Sequence, residues 1–311
     1  MKENLEFGYV SHNGHIDPYY HTKLIEDWEF SYHQVSSGKF IGNLSKIWLG
    51  DIEIYEEKLS TAVFQEGCCQ QGVLCIGIFR NFQSPAICLG HTVENSDIIS
   101  IRPNQEILIK TPEESKFYAL QIPLQSLVGD DIEQLEDMMS LSRNAELNNK
   151  IYNKIRFLFN AFENIVLNEV AKKDIISDFT DIGCEYINSI RNDKLEHKKA
   201  KNKAERVIKK ILYYLQSTSD LPITVEDFCK VTNTSRRTLQ NYFEIIIGCS
   251  PSLFLKYWKL NCARKMLLAN EEKTTVSQVA SYWGFWHFSQ FAQDYKGLFG
   301  ELPSTTLELS R

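Results

Sequence analysis

The feature that most constrains this chain is a repeated segment in its last third. The segments ITVEDFCKVTN (residues 223–233) and TTVSQVASYWG (residues 274–284) share a threonine-valine start and similar apolar spacing. Each copy predicts a short helix that begins at a threonine N-cap and is followed by a turn and a second helix. Two such helix-turn-helix units in series predict an all-α domain at this end of the chain.

The first copy carries clear signals for the start and end of its helices. Thr224 stands at an N-cap position with Asp227 three residues further on, close to a capping box. This helix should end near Val231, before a short polar turn. Ser235 caps the next helix, which should end at Gly248 because glycine favours a helix C-terminus. In such units the second helix enters the DNA major groove N-terminus first.

The start of this second helix carries side chains suited to reading bases. Arginine binds guanine through two hydrogen bonds, and glutamine or asparagine binds adenine in the same way. The candidate DNA contacts of the first unit are Arg236, Arg237, Thr238, Gln240 and Asn241. A plain solvated helix face is the other interpretation. Two arginines at a helix N-terminus oppose the helix dipole, and a bound phosphate or base would remove that conflict.

One connecting helix joins the two units. It should begin after Pro251 and end near Ala269, which makes it roughly 28 Å long. Successive major grooves on one face of DNA lie about 34 Å apart, so the connector suits two units in adjacent grooves. The second recognition helix should begin at Trp286 or His287. Its candidate DNA contacts are His287, Ser289, Gln290, Gln293 and Lys296.

Eight aromatic residues crowd the segment 280–300. Val279, Phe285, Phe291, Tyr295 and Phe299 have the spacing of core positions in the second unit, and Trp283 should join them. Trp286 and Phe288 are either further core residues or contacts for thymine methyl groups.

Charge is distributed unevenly along the chain. Residues 198–311 have a net charge of +7, whereas the remainder has −13. A basic C-terminal third indicates a module that binds a polyanion, although a chance imbalance of surface charge is the simpler explanation. Candidate phosphate contacts, which add affinity but no sequence choice, are Lys256, Lys259, Arg264, Lys265 and Lys296.

The N-terminal part predicts a different architecture. Short alternating segments from about 44 to 122, separated by Gly, Pro, Asn and Ser, predict a β-rich, barrel-like domain. Helical periodicity follows at about 131–192 and predicts a helical hairpin, which either packs on the barrel or forms a homodimer through residues 145–192. We place the domain boundary in the charged stretch around 197/198, giving domains 1–197 and 198–311. The fold class is therefore α+β.

Apolar runs and cysteine spacing indicate the cell compartment and the chemistry that the chain can support. No apolar run is long enough to span a membrane and no signal peptide is evident, so a cytoplasmic protein without a membrane partner is expected. The eight cysteines show no zinc spacing and should be free thiols. The adjacent pair Cys68 and Cys69, with His91, is the basis for one enzyme hypothesis.

The C-terminal motif resembles that of the AraC/XylS family of bacterial transcription regulators. The residues that carry the resemblance are Gly284, Phe285, Ser289, Phe291, Tyr295, Lys296, Gly300 and Pro303. An arginine is usual in the family where this chain has Gln293. Segments 38–57, 235–241 and 283–304 look like the ethanolamine-utilisation regulators of that family. This resemblance implies an activator that binds double-stranded DNA, contacts RNA polymerase and responds to ethanolamine with adenosylcobalamin.

Three functional hypotheses remain open at this point. The first is a transcription activator switched by a small-molecule effector in the N-terminal domain, whose pocket residues the sequence does not identify. The second is a ligand-independent regulator whose N-terminal domain binds other proteins. The third is a cysteine-dependent enzyme fused to a DNA-binding domain, which the absence of a metal-spaced cluster and of a nucleophile elbow argues against.

Overall fold

The structure is a computed structural model that combines a β-rich half with a helical half. It describes residues 7–25, 28–80, 84–101, 103, 105–128, 140–162, 168–192, 199–218, 222–269 and 274–309. The fold class predicted from the sequence, α+β, is confirmed.

The described strands form two antiparallel sheets that do not close into a barrel. They are β1 (Phe7–His15), β2 (Glu29–Gln34), β3 (Gly42–Leu49), β4 (Ile52–Leu59), β5 (Val63–Cys68), β6 (Val73–Arg80), β7 (Ala86–Cys88), β8 (His91–Val93), β9 (Ile98–Ile101), β10 (Glu106–Lys110), β11 (Ser115–Pro123) and β12 (Ser140–Ser142). One sheet has the order β1-β3-β4-β11-β6-β9-β12 and the other β2-β5-β10-β7-β8.

The β region is longer than the predicted 44–122. It begins at Phe7, because β1 pairs with β3, and β2 adds an edge strand to the second sheet. Both early strands are rich in polar residues, which hides their alternation in the sequence. At the other end, Ser140–Ser142 is a strand within the range predicted as helical, and residues 131–139 lie outside the described part.

The described helices range from 5 to 24 residues, and the two shortest, α1 and α2, lie among the strands. They are α1 (Pro18–Thr22), α2 (Leu124–Val128), α3 (Ala145–Phe162), α4 (Glu169–Asn192), α5 (Lys199–Ser217), α6 (Val225–Thr232), α7 (Arg236–Ile246), α8 (Pro251–Ala269), α9 (Val276–Tyr282), α10 (Phe288–Phe299) and α11 (Pro303–Leu309). The predicted boundary at 197/198 lies outside the described residues, and the division into two domains stays a prediction.

Helices α3 and α4 form the predicted hairpin and pack on the first sheet. Ile151 and Ile155 of α3 are fully buried in one cluster with Ile54 of β4. Ion pairs Lys150–Glu185 and Lys154–Asp178, both 2.5 Å, join the two helices. Because the apolar stripe of the hairpin is used within the chain, a homodimer through 145–192 would need the outer face of the hairpin.

Helix α8 lies between two hydrophobic cores. Phe254 and Trp258 belong to a cluster that includes the second sheet, whereas Leu260 and Leu267 belong to the cluster of the second helix-turn-helix unit. The bounds predicted for this helix are confirmed. The helix is not simply amphipathic, because it has buried neighbours on several sides.

The helical half is docked on the sheets through both apolar and polar contacts. The Phe64 and Phe254 rings lie 5.5 Å apart across this contact. The edge strand β2 has no partner on its outer side among the described strands. There the amide of Asn261 accepts from Gln34 N at 2.9 Å and donates to Gln34 O at 3.0 Å. The Gln34 side chain donates to the carbonyl of Leu298, at the end of α10, at 2.6 Å.

A buried arginine strengthens this contact. Arg264 is 6% exposed and donates to Asp17 Oδ2 and Glu301 Oε1, each at 2.6 Å. Asp17 precedes α1 and also caps that helix, so one guanidinium joins both halves of the chain. The prediction of Arg264 as a phosphate contact is therefore wrong, because charge alone does not reveal burial.

The cysteines are all free, as predicted. Burial raises the pKa of the Cys69 thiol to about 12, with a smaller contribution from Cys68. A nucleophilic cysteine needs a lowered pKa, so this environment disfavours thiolate chemistry. In the described part of the chain, no three His, Cys, Asp or Glu side chains are placed to hold a metal ion, and none of the helices is both long and apolar enough to cross a membrane.

Candidate nucleic-acid interface and ligand cavity

The first helix-turn-helix unit is fixed by caps at each helix end. Thr224 and Asp227 form a complete capping box, in which Thr224 N donates to Asp227 Oδ2 at 2.9 Å. The hydroxyl of Thr224 lowers the pKa of the Asp227 carboxyl. Asn233 ends α6 in a left-handed conformation, and Ser235 then caps α7 through the Thr238 amide at 3.2 Å. These local interactions set the angle at which α7 leaves the turn.

Helix α7 divides cleanly into a buried and an exposed face. Leu239 and Phe243 are fully buried. All five predicted contacts of this unit, Arg236, Arg237, Thr238, Gln240 and Asn241, are exposed or half-exposed near its N-terminal end. The structure thus brings them together on one accessible surface, which is the geometry that a recognition helix requires.

The two arginines differ in their surroundings. Arg236 forms an ion pair with Glu226 of α6, whereas no ion pair involves Arg237 in the described part of the chain. Gln240 donates to Glu244 at 2.9 Å within the helix. Arg237 is therefore the first-unit arginine that is most available for a base.

The second unit repeats the arrangement. Thr275 caps α9 and forms a capping box with Gln278. Helix α10 begins after His287, which has no side-chain capping bond, and ends at Gly300 in a left-handed conformation. The predicted contacts His287, Ser289, Gln290, Gln293 and Lys296 are all exposed.

The aromatic residues of this unit fall into two groups. Phe291, Tyr295 and Phe299 are buried, as predicted, and Phe285 and Trp283 pack against that core. Three aromatic residues lie outside every hydrophobic cluster of the described residues: Tyr282, 56% exposed, Trp286, 68% exposed, and Phe288, 48% exposed. The alternative in which Trp286 and Phe288 are core residues is wrong.

A cavity of about 40 Å³ lies between the two sheets. Its walls are largely apolar, but they include the carboxylate of Glu57 and the amide of Gln121, both nearly fully buried. Glu57 Oε1 accepts from Tyr32 at 3.1 Å and lies 2.8 Å from Nε2 of His21. Burial, together with the Glu57 charge, raises the pKa of Tyr32, so this hydroxyl stays protonated and donates.

Two polar atoms at this cavity have no hydrogen-bond partner among the described residues. They are Oε1 of Gln121, an acceptor, and Nε1 of Trp28, a donor. Buried polar groups are nearly always paired, so such atoms indicate a water molecule or a ligand. Sequence reasoning missed this site because Glu57 and Gln121 look like the solvated face of their strands.

These features together define a tandem helix-turn-helix protein. Residues 228–308 match the family described as "Helix-turn-helix domain". The chain is also similar to named operon regulators.

Two relatives illustrate this similarity. The chain is 34% identical over 102 residues to the "Probable thc operon regulatory protein" of Rhodococcus erythropolis, a match over 32% of this chain and 31% of the relative. It is 30% identical over 103 residues to the "XylDLEGF operon transcriptional activator 2" of Pseudomonas putida, over 33% of this chain and 66% of that relative. The chain thus spans about a third of the length of the first relative and about two thirds of the length of the second.

A solved structure gives a weaker likeness over more of the chain. The crystal structure of the AraC-like transcriptional activator CuxR is 19% identical, with a TM-score of 0.47, over 88% of this chain and 100% of that chain.

Proposed function

We propose that this protein is a sequence-specific DNA-binding transcription activator that is switched by a small-molecule effector. The observation that carries the proposal is the pair of capped units whose recognition helices, α7 and α10, have exposed polar N-terminal ends. Helix α8 joins the units and has the length expected for adjacent major grooves. The similarity to named operon regulators supports the same class.

DNA binding is tested by measuring the affinity of the full chain for the regions upstream of its own and neighbouring genes over a series of salt concentrations. Arg237→Ala should cost roughly 1–3 kcal/mol and relax the sequence preference at one base pair. Lys173→Ala, which removes an exposed cation on α4, is the matched control and should change the affinity little. Failure to bind any of these regions specifically, at low as well as high salt, would refute the proposal.

The cavity between the sheets is our proposed effector site. At about 10–15 Å³ for each water-sized position, 40 Å³ admits about three or four non-hydrogen atoms. The carboxylate of Glu57 and the free acceptor of Gln121 suit a cation with several N–H donors, and the indole of Trp28 can donate to an oxygen. Ethanolamine, the effector that the resemblance implies, has this size and these groups.

Adenosylcobalamin does not fit the cavity between the sheets. A second cleft lined by described residues, among them Trp258 and Tyr282, has about 670 Å³, a size typical of sites for drug-sized ligands, and a cobalamin is larger. We therefore assign no role to this cofactor.

Effector binding is tested by calorimetric titration of the full chain with ethanolamine. Glu57→Gln should weaken binding at least tenfold, because it removes the charge but keeps the shape. Glu56→Gln is the control, because Glu56 alternates to the other face of β4 and pairs with Lys58 and Lys116. Equal affinities for wild type and Glu57→Gln would place the effector elsewhere. No binding of ethanolamine or related small amines, combined with normal DNA binding, would favour the ligand-independent regulator.

A further inference from the structure

Two large aromatic side chains at the start of α10 lie outside every hydrophobic cluster in the described part of the chain. Trp286 is 68% exposed and Phe288 is 48% exposed, although Phe291 and Tyr295 of the same segment are buried. Exposed apolar surface of this kind commonly marks an interaction site. Their position shows which surface this is.

Phe288 is the first residue of α10, and Trp286 stands two residues before it. Side chains on a helix lean towards its N-terminus, so Phe288 extends past the end of α10 that would enter a major groove. Ser289 and Gln290, which follow directly, are exposed candidate DNA contacts. The aromatic pair is therefore continuous with the polar recognition surface.

The second unit lacks the charges by which such a surface usually binds DNA. From Val276 to Phe299 the only charged side chains are Asp294 and Lys296, which cancel. Asp294 also accepts from Gln290 at 3.0 Å and pairs with Lys256 at 2.7 Å. The first recognition helix, in contrast, begins with two arginines. Affinity at the second unit must therefore come more from apolar contact than from phosphate neutralisation.

We propose that α10 reads thymine through its methyl group, with Phe288 and Trp286 as the apolar contacts. Among the base edges exposed in the major groove, the thymine C5-methyl is the apolar group, and aromatic side chains pack against it. The second half-site should thus be rich in A·T pairs, and its recognition should depend weakly on salt. This inference rests on the proposed DNA-binding function and adds the base that the second unit selects.

Replacing single thymines by deoxyuridine tests the inference on the unaltered protein. Deoxyuridine keeps every hydrogen-bonding group of thymine and lacks only the methyl. Affinities of the full chain are measured for duplexes substituted at one thymine at a time across the bound site. We expect the affinity to fall about fourfold at one or two positions of the second half-site. This factor corresponds to the free energy of burying one methyl group.

Variants then assign the methyl contact to a side chain. Phe288→Ala should bind the thymine duplex more weakly than wild type and should lose its sensitivity to deoxyuridine at one position. Trp286→Ala should behave likewise at the same or the neighbouring position. Leu309→Ala is the matched control, since it removes an apolar side chain that is 61% exposed on α11 and should leave the pattern unchanged.

The outcomes separate this inference from the function on which it rests. If Arg237→Ala weakens binding but no deoxyuridine substitution does, the thymine contact is refuted and the regulator stands. If no duplex is bound specifically, the proposed function itself fails. If Phe288→Ala and Trp286→Ala leave the affinity for DNA unchanged but alter sedimentation, the aromatic pair belongs to a contact between two copies of the chain, and the inference is overturned.

Discussion

Replacing Arg264 by methionine removes the cation that two buried carboxylates share. The side chain of Arg264 is 7% exposed, that of Asp17 5% and that of Glu301 14%, so water replaces little of the lost interaction. Breaking a buried ion pair on one side costs about 3–5 kcal/mol. Glu301 still accepts from Thr306 at 2.7 Å, and Asp17 still accepts from the amide of Tyr19 at 2.8 Å. We therefore expect the lower end, about 3 kcal/mol.

Thermal unfolding followed by circular dichroism measures this loss. At about 2–4 °C for each kcal/mol in a large domain, the Tm of Arg264→Met should fall by about 6–12 °C at pH 7. The control is Lys265→Met, which removes a neighbouring exposed cation and should shift the Tm by no more than about 2 °C.

The effect of Arg264→Met should also depend on pH. Burial disfavours the charged form of Glu301, but the hydrogen bonds from Thr306 and Arg264 outweigh it and lower the pKa below the usual 4.5. A carboxyl group whose pKa is lowered in the folded state stabilises the fold at pH values above its ordinary pKa. This stabilisation is lost as the pH falls through the folded-state pKa. The difference between wild type and variant should therefore shrink below about pH 4.5. A Tm of the variant within 2 °C of wild type at pH 7, or a difference that grows in acid, would refute the reasoning.

Four further substitutions test the contacts around the helix-turn-helix units. Asn261→Ala leaves the backbone N–H and C=O of Gln34 unpaired and should lower the stability by about 1–3 kcal/mol. Hydrogen exchange at the Gln34 amide should accelerate, and an unchanged exchange rate would contradict a stabilising role for these two hydrogen bonds. Gly284→Ala should destabilise by at least about 1 kcal/mol in urea unfolding, because the residue has φ +78° and its Cβ would lie 2.8 Å from a proline ring. Gly297→Ala, in open space on α10, should instead stabilise slightly, and the same sign for both glycine variants would be inconsistent with this explanation. Thr224→Ala removes the capping box and should cost about 1 kcal/mol, measurable as a lower urea midpoint; an unchanged midpoint would show that the cap does not limit stability.

Local signals predicted the helical half well. Thr224, Ser235 and Pro251 act on residues within one turn of themselves, so the sequence alone indicates where α6, α7 and α8 begin. The exposed faces of both recognition helices also follow from helical spacing once the starts are known.

Contacts between distant segments were not predictable in this way. Arg264 looks like one more cation on a basic domain, and its partner Asp17 is 247 residues away. Glu57 and Gln121 follow the alternation expected of exposed polar positions, and only the pairing of β4 with β11 places them at an interior cavity. Strand β1 was missed for a related reason, because it depends on β3 rather than on its own apolar pattern.

The position of α8 between two cores limits how this protein could be rebuilt from parts. A chimera that took only the helical half would bring Phe254 and Trp258 without the sheet residues that cover them. It would also bring Asn261 and Arg264 without Gln34 and Asp17. An exchange of N-terminal segments among related proteins should therefore give soluble hybrids only when the edge strand β2 and helix α1 are transferred together with the helices that they contact.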